Sequence, residues 1–201
     1  MQILQLVVAL GLVVATNAGA ASWDEALQGD LSNDRSQPTP LLLDLGANPV
    51  RGAFGAPDLD YLAVTVRPGQ ALSALRIGAD NRLGGVRSFM AVQTGSAMTV
   101  PPDTDSASGL LGAMHYQQGF PGGDLLPDLG DGQLGAIGFS GALPAGTYTF
   151  WIQDTSAEPG LRFAMVFEVS AVPEPETLAM LLAGLAVVGA AVRRRTLNPT
   201  A

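Results

Sequence analysis

Short apolar segments separated by glycine and proline dominate the middle of the chain. The chain has 201 residues with 25 glycines and 14 prolines, and these two residue types end regular structure and form turns. Within Thr147–Gln153, the residues Tyr148, Phe150 and Ile152 fall on one face of an extended segment, and Arg162–Val169 alternates in the same way. Period-two alternation of aromatic and β-branched residues is typical of half-buried strands.

The pattern predicts an all-β domain without a long amphipathic helix. About eight strands with turn residues between them favour an antiparallel, jelly-roll-like β-sandwich. A short helix is predicted around Ser22–Leu27. The predicted strands are Leu41–Leu45, Tyr61–Val66, Leu72–Ile77, Arg87–Gln93, Leu110–Tyr116, Leu134–Phe139, Thr147–Gln153 and Arg162–Val169.

The N-terminus has the composition of a secretory signal peptide. Ile3–Val14 is almost continuously apolar and is followed by Ala18, Ala20 and Ala21. Small residues at alternate positions after an apolar stretch are what signal peptidase recognises. We therefore predict a signal helix over residues 1–20 with cleavage after Ala20, although residues 1–10 contain no lysine or arginine.

The C-terminus combines an apolar segment with a basic cluster. Leu178–Val192 is fifteen residues long and uncharged, and Arg193, Arg194 and Arg195 follow it. As a helix it would extend about 22 Å, which is short of a hydrocarbon core of about 30 Å. We predict a transmembrane helix over residues 177–192 with its arginines on the cytoplasmic side. Its short length favours a temporary anchor.

The order of features in this tail resembles the PEP-CTERM sorting signal of Gram-negative bacteria. The matching features are Pro173-Glu174-Pro175, the apolar segment and the three arginines, within the predicted sorting segment 172–201. The resemblance implies processing by an exosortase, a membrane cysteine transpeptidase that cuts near the Pro-Glu-Pro, often in species that make extracellular polysaccharide. The nucleophile would belong to that enzyme, because this chain has no cysteine.

Between the two ends lies a predicted acidic ectodomain, residues 21–171. It keeps seven of the ten basic residues and sixteen of the eighteen acidic residues, so its net charge is about −9. Such a surface repels nucleic acid and anionic lipid. The absence of cysteine excludes disulfides and thiol catalysis within the chain. The length is sufficient for one domain with its own core.

A second resemblance covers about residues 27–170. Asp58-Leu59-Asp60-Tyr61 and Ala145-Gly146-Thr147-Tyr148 are similar to segments of the bacterial pre-peptidase C-terminal (PPC) domain group, a jelly-roll β-sandwich often appended to secreted enzymes. The resemblance implies an accessory or binding domain without catalytic activity.

Two groups of acidic residues are candidate calcium ligands, since calcium prefers carboxylate and amide oxygens. Asp58 and Asp60 lie on one side of an extended segment, and the first group adds residues from the preceding loop. Asp and Asn also cap turns by bonding their own backbone, and both interpretations stay open. The first group is Asp30, Asn33, Asp34, Asp58 and Asp60, and the second, more typical of solvated loop residues, is Asp124, Asp128 and Asp131.

Other candidate groups are few. His115 is the only histidine, and Ser140 is a conceivable nucleophile for it, but Ser140 does not lie in a nucleophile-elbow motif. Trp23, Tyr116, Phe120 and Trp151 would suit either a sugar-stacking platform or core packing.

These observations predict an exported, non-enzymatic cell-surface or extracellular-matrix protein. Before processing, its ectodomain would be periplasmic and its tail would lie in the inner membrane. The expected partners are signal peptidase, an exosortase and extracellular polysaccharide, and no cofactor is expected apart from calcium. The alternative is a secreted hydrolase, or an accessory carbohydrate-binding module of one.

Overall fold

The computed structural model describes residues 21–54, 58–84, 88–103, 106–117, 121–156, 158–173 and 182–189. Strands account for most of the regular structure in these residues. The strands are β1 (Trp23–Asp24), β2 (Thr39–Leu42), β3 (Gly46–Ala53), β4 (Asp60–Val66), β5 (Gln70–Ile77), β6 (Ser88–Thr94), β7 (Gly112–Tyr116), β8 (Gly146–Asp154) and β9 (Arg162–Ala171), and the helices are α1 (Glu25–Gln28), α2 (Leu126–Gly130) and a 3₁₀ turn, Gln133–Gly135.

The strands form two sheets. One sheet has four strands in the order β1-β3-β9-β5, and the other has five in the order β2-β4-β8-β6-β7. The arrangement is mostly antiparallel, but β1 pairs with β3 and β2 pairs with β4 in parallel. The prediction of an all-β, two-sheet fold is therefore confirmed, while purely antiparallel pairing is wrong and the jelly-roll connectivity stays a prediction.

The main core lies between the two sheets. Alternate residues of β4, β8 and β9 point into it, and Phe150 meets Phe167 edge-on with ring centroids 5.1 Å apart. Burial of apolar surface of this kind contributes roughly 25 cal/mol per Å². All buried members of this core lie between Leu31 and Val169. The core is thus contained within the predicted ectodomain.

A second apolar cluster covers the outer face of the five-stranded sheet. Tyr61 and Trp151 are directly paired across β4 and β8, and Met98 and Leu110 from the segment between β6 and β7 pack onto them. Because Phe150 lies in the main core and Trp151 in this outer cluster, both faces of β8 are buried.

One strand prediction is wrong, and one long strand was not predicted. Leu134–Phe139 is not a strand, since Leu134 lies in a 3₁₀ turn with φ 58° and Gly135 and Gly138 also have positive φ. Left-handed residues turn the chain instead of extending it. Conversely, β3 was not predicted, because Pro49 and its glycines lower strand propensity.

The predicted helix Ser22–Leu27 is a single short turn, α1, placed after β1. At the other end, residues 182–189 are helical and exposed. No helix among the described residues is long and apolar enough to span a membrane. The remainder of the predicted transmembrane helix, residues 177–192, lies outside the described residues.

Candidate functional site

Three carboxylates from separate segments converge where the N-terminal segment meets the five-stranded sheet. Glu25 belongs to α1, Asp30 follows that helix and Asp60 begins β4. One carboxylate oxygen from each residue lies within 4.8 Å of the others. We call this group the carboxylate cluster.

Asp60 is the buried member of the carboxylate cluster. It alternates with Leu62 and Val64, which point into the main core, and it is 0% exposed. Neither of its carboxylate oxygens accepts a hydrogen bond from the described residues. Burial raises the pKa of Asp60 to about 9, and the nearby charge of Glu25 adds to the effect. A buried carboxylate without donors is costly in its ionised form.

Glu25 is held in position by the backbone. Its Oε1 accepts a hydrogen bond from Leu31 N at 3.1 Å, and its Oε2 accepts one from Ala53 N at 2.7 Å. Burial raises the pKa of Glu25, while the hydrogen bonds from Ala53 and Leu31 act against that rise. Gly52 makes room for this side chain, because a Cβ there would lie 2.6 Å from Glu25 Cδ.

The predicted calcium ligands divide into two sets. Asp30 and Asp60 belong to the carboxylate cluster. Asn33 Oδ1 instead accepts a hydrogen bond from Leu59 N at 2.8 Å, and Asp34 caps its own turn through Ser36. Asn33 therefore links its loop to the segment before β4, and Asp34 caps a turn.

Asp58 lies next to the carboxylate cluster without being part of it. Burial raises the pKa of Asp58, and the charge of Asp30 contributes. Glu25 was not among the predicted ligands. The parallel pairing of β1 with β3 brings α1 towards the start of β4, and no local sequence pattern indicates that pairing.

The second acidic group does not converge. Asp124 Oδ1 accepts hydrogen bonds from Leu75 N at 2.9 Å and Leu126 N at 3.0 Å, so it joins α2 to β5. Asp128 and Asp131 are exposed. Among the described residues, these aspartates do not form a metal-ligating group.

A cavity of about 280 Å³ lies on the outer face of the five-stranded sheet. We call it the outer-face cavity. Phe89 meets Trp151 at a centroid distance of 4.7 Å and His115 at 5.5 Å, both edge-on. Its polar lining includes Gln153 and Ser106, and among the described residues no Asp, Glu or Arg lines it. A neighbouring cavity of about 330 Å³ shares Gln153 with it.

The described members of the predicted aromatic platform do not come together. Trp151 lines the outer-face cavity, but Trp23 packs against the main core and Tyr116 is buried within that core. Phe120 lies outside the described residues. Ser140 is exposed and is not part of the cavity lining that contains His115.

The sorting segment begins directly at the end of β9. Val172 N donates a hydrogen bond to Gly69 O at 2.8 Å, and Pro173 lies in a shallow depression beside Pro144. Ala21, the residue after the predicted signal cleavage, donates from its backbone N to Asn48 Oδ1 at 3.2 Å. Ala18, Ala20, Glu174, Pro175, Arg193, Arg194 and Arg195 lie outside the described residues.

Residues 171–195 match the PEP-CTERM protein-sorting motif. This motif begins at the last residue of β9, Ala171, and includes Pro173. It implies an exported protein that an exosortase sorts. The first resemblance drawn from the sequence is therefore confirmed for the tail.

No curated protein sequence matches this chain. The chain is similar to the crystal structure of Aeromonas hydrophila PliG, a periplasmic lysozyme inhibitor of g-type lysozyme, at 16% identity and a TM-score of 0.34, covering 66% of this chain and 96% of that one. The resemblance to the PPC domain group stays a prediction.

Proposed function

We propose that the chain is an exported, non-enzymatic protein that reaches the cell surface or the extracellular matrix after an exosortase cuts its tail. The observation that carries this proposal is the PEP-CTERM match at residues 171–195, which begins where β9 ends. The sandwich and the sorting segment are therefore contiguous. Before cleavage the ectodomain is periplasmic and the tail is held in the inner membrane.

The arrangement of acidic groups supports a role without catalysis. A retaining glycosidase needs two carboxyl groups about 5–5.5 Å apart that both reach the substrate. Glu25 and Asp60 have oxygens within 4.8 Å, but Asp60 is 0% exposed. A sugar cannot reach a carboxylate that has no accessible surface, so this pair does not favour a hydrolase.

The outer-face cavity favours a second role, the binding of a neutral glycan. Its volume of about 280 Å³ is close to the lower end of ligand cavities, about 300 Å³. The exposed ring of His115, packed edge-on against Phe89, provides surface for the apolar face of a sugar ring, and Trp151 lies beneath it in the cavity wall. Gln153 supplies an amide for hydroxyl groups, and the described part of the lining carries no Arg for an anionic sugar. This role is consistent with a link to exopolysaccharide.

The sorting proposal is tested on the protein made in an exosortase-positive host. Mass spectrometry of the mature chain should find an N-terminus at Ala21 and a C-terminus near Pro173. Replacing Pro173, Glu174 and Pro175 together by alanine should leave an uncut precursor in the membrane fraction. Thr196→Ala, just beyond the matched residues 171–195, is the matched control and should be processed normally. An alanine variant cut at the wild-type position would refute the proposal.

The glycan proposal is tested by tryptophan fluorescence. Trp23→Phe leaves Trp151 as the single tryptophan, so its emission reports on the outer-face cavity. A neutral glucan oligosaccharide should shift that emission, and an oligosaccharide of uronic acids should not. His115→Ala should weaken binding about tenfold, equivalent to about 1.4 kcal/mol, while Gln133→Ala, an exposed change outside the cavity, should not. If His115→Ala and Gln133→Ala bind the glucan equally well, this cavity is not the binding site.

A further inference from the structure

We propose that Glu25, Asp30 and Asp60 bind a calcium ion that fastens the N-terminal segment to the start of β4. The proposal goes beyond the sorting and glycan roles and does not depend on either. It rests on two observations. Three carboxylate oxygens lie within 4.8 Å of one another, and one of them belongs to a fully buried side chain that points into the group without a hydrogen-bond donor from the described residues.

Acidic groups predominate among the described residues around this site. Asp58 lies next to the carboxylate cluster, and Tyr116 faces Asp60. Arg51 and Arg162 line a cavity together with Glu25. The ion pairs of the described arginines go to Asp44, Asp80 and Glu168, and none of them goes to the cluster. Several carboxylates this close repel one another strongly unless a proton or a cation neutralises them.

The donor atoms favour calcium over other cations. All three side chains offer oxygen, and the chain has no cysteine and only one histidine, His115, which lies in the outer-face cavity. Oxygen-only donor sets suit hard cations. Calcium accepts irregular sets of carboxylates with water completing the shell, whereas magnesium demands an almost ideal octahedron.

The position of the ligands gives the ion a structural role. Glu25 follows β1, which belongs to the four-stranded sheet, while Asp60 begins β4 of the five-stranded sheet. The pairing of β1 with β3 extends over only Trp23 and Asp24, so few backbone hydrogen bonds hold this segment. An ion that bridges Glu25, Asp30 and Asp60 would connect the N-terminal segment to both sheets.

The test uses the full chain purified in mild detergent after treatment with EDTA. At about pH 8, calcium in the millimolar range should raise the melting temperature by mass action, and calorimetry should give one ion per chain. Because the cation must displace the proton on Asp60, the increase should be smaller at about pH 5. Magnesium should give a clearly smaller increase. An equal response to magnesium would overturn the assignment to calcium.

Two variants and one control distinguish a site neutralised by a metal ion from one in which the carboxyl groups are neutralised by a proton. Asp30→Asn changes an exposed ligand, so it should leave the metal-free melting temperature unchanged and weaken calcium binding by about tenfold or more. Asp60→Asn should abolish the calcium response without lowering metal-free stability. Asp131→Asn, an exposed aspartate elsewhere, should respond like the wild type. If calcium changes neither the melting curve nor the heat of titration of the wild type at about pH 8, the proposal is wrong.

Discussion

Asp60 and Asp154 are both buried on the interior face of the five-stranded sheet, yet only Asp154 has hydrogen-bond donors. Asp154 accepts bonds from Gly84 N at 2.9 Å, Ser88 Oγ at 2.6 Å and Ser156 N at 2.8 Å. Asp60 accepts none from the described residues. Burial disfavours the charge on Asp154, but the bonds from Ser88, Ser156 and Gly84 outweigh it and lower its pKa. The pKa of an aspartate is therefore raised at position 60 and lowered at position 154.

We expect the two aspartates to have opposite effects on the pH dependence of stability. The pKa of Asp60 rises from 3.8 to about 9 on folding, so its protonated form stabilises the fold fully below about pH 4, and this contribution is lost as the pH rises towards 9. In EDTA, Asp60→Asn should therefore gain stability relative to the wild type as the pH increases from about 5 to about 9. Urea unfolding at several pH values measures the difference. A constant difference across this range would contradict the raised pKa of Asp60.

Asp154→Asn is the matched counterpart. Because the folded pKa of Asp154 is lowered, its contribution is present above about pH 4 and is lost as the pH falls below its unfolded value. The variant should cost about 1–3 kcal/mol at neutral pH, because an amide cannot accept all the bonds that the carboxylate accepts. Its cost should shrink in acid. A cost that stays the same at about pH 3 would show that the charge of Asp154 does not contribute.

Two tyrosines give a second matched pair. Tyr148 donates its hydroxyl to Pro144 O at 3.0 Å, whereas the buried hydroxyl of Tyr61 has no hydrogen-bond partner among the described residues. Tyr148→Phe should lower the free energy of unfolding by about 0.5–1.5 kcal/mol, while Tyr61→Phe should be neutral or stabilising. Chemical unfolding of both variants measures this. If Tyr61→Phe lowers the free energy of unfolding as much as Tyr148→Phe does, the Tyr61 hydroxyl has a hydrogen-bond partner.

Gly52 provides a prediction about the approach of α1 to β3. A Cβ at this position would lie 2.4 Å from the ring of Phe163 and 2.6 Å from Glu25 Cδ. Gly52→Ala should destabilise the protein by about 1–3 kcal/mol through overpacking, and it should also weaken any calcium response by displacing Glu25. Gly184→Ala is the control, because nothing lies within 4 Å of a Cβ there. Thermal melts with and without calcium measure both effects.

The sequence was sufficient to predict the strands in which aromatic and β-branched residues alternate and both faces are buried. Predicted Tyr61–Val66 and Thr147–Gln153 agree with β4 and β8 to within a residue or so, because aromatic and β-branched residues at period two leave few alternatives. It was not sufficient for β3, which pairs along its whole length with β9 despite Pro49. There the partner strand and not local propensity determines the structure.

Two of the three members of the carboxylate cluster could be predicted from the sequence, and the third could not. Asp30 and Asp60 were recognised as candidate ligands, since short-range spacing of acidic residues can be seen directly in a sequence. Glu25 joins them only through the packing of α1 against β3, whereas Asn33 accepts a bond from the backbone of Leu59 and Asp34 caps a turn. Long-range placement of a side chain depends on sheet pairing, and a single sequence does not contain that information locally.

Leu134 gives the last prediction, from the segment where a predicted strand is a turn. It has φ 58°, and its side chain is 47% exposed beside the outer-face cavity. A left-handed conformation costs an L-residue with a Cβ roughly 1–2 kcal/mol. Leu134→Gly and Leu134→Ala both lose the apolar side chain, but only glycine relieves the backbone strain. The glycine variant should therefore be more stable than the alanine variant by about 1 kcal/mol, as measured by urea unfolding. An alanine variant that is equally stable would show that Leu134 is not strained in this turn.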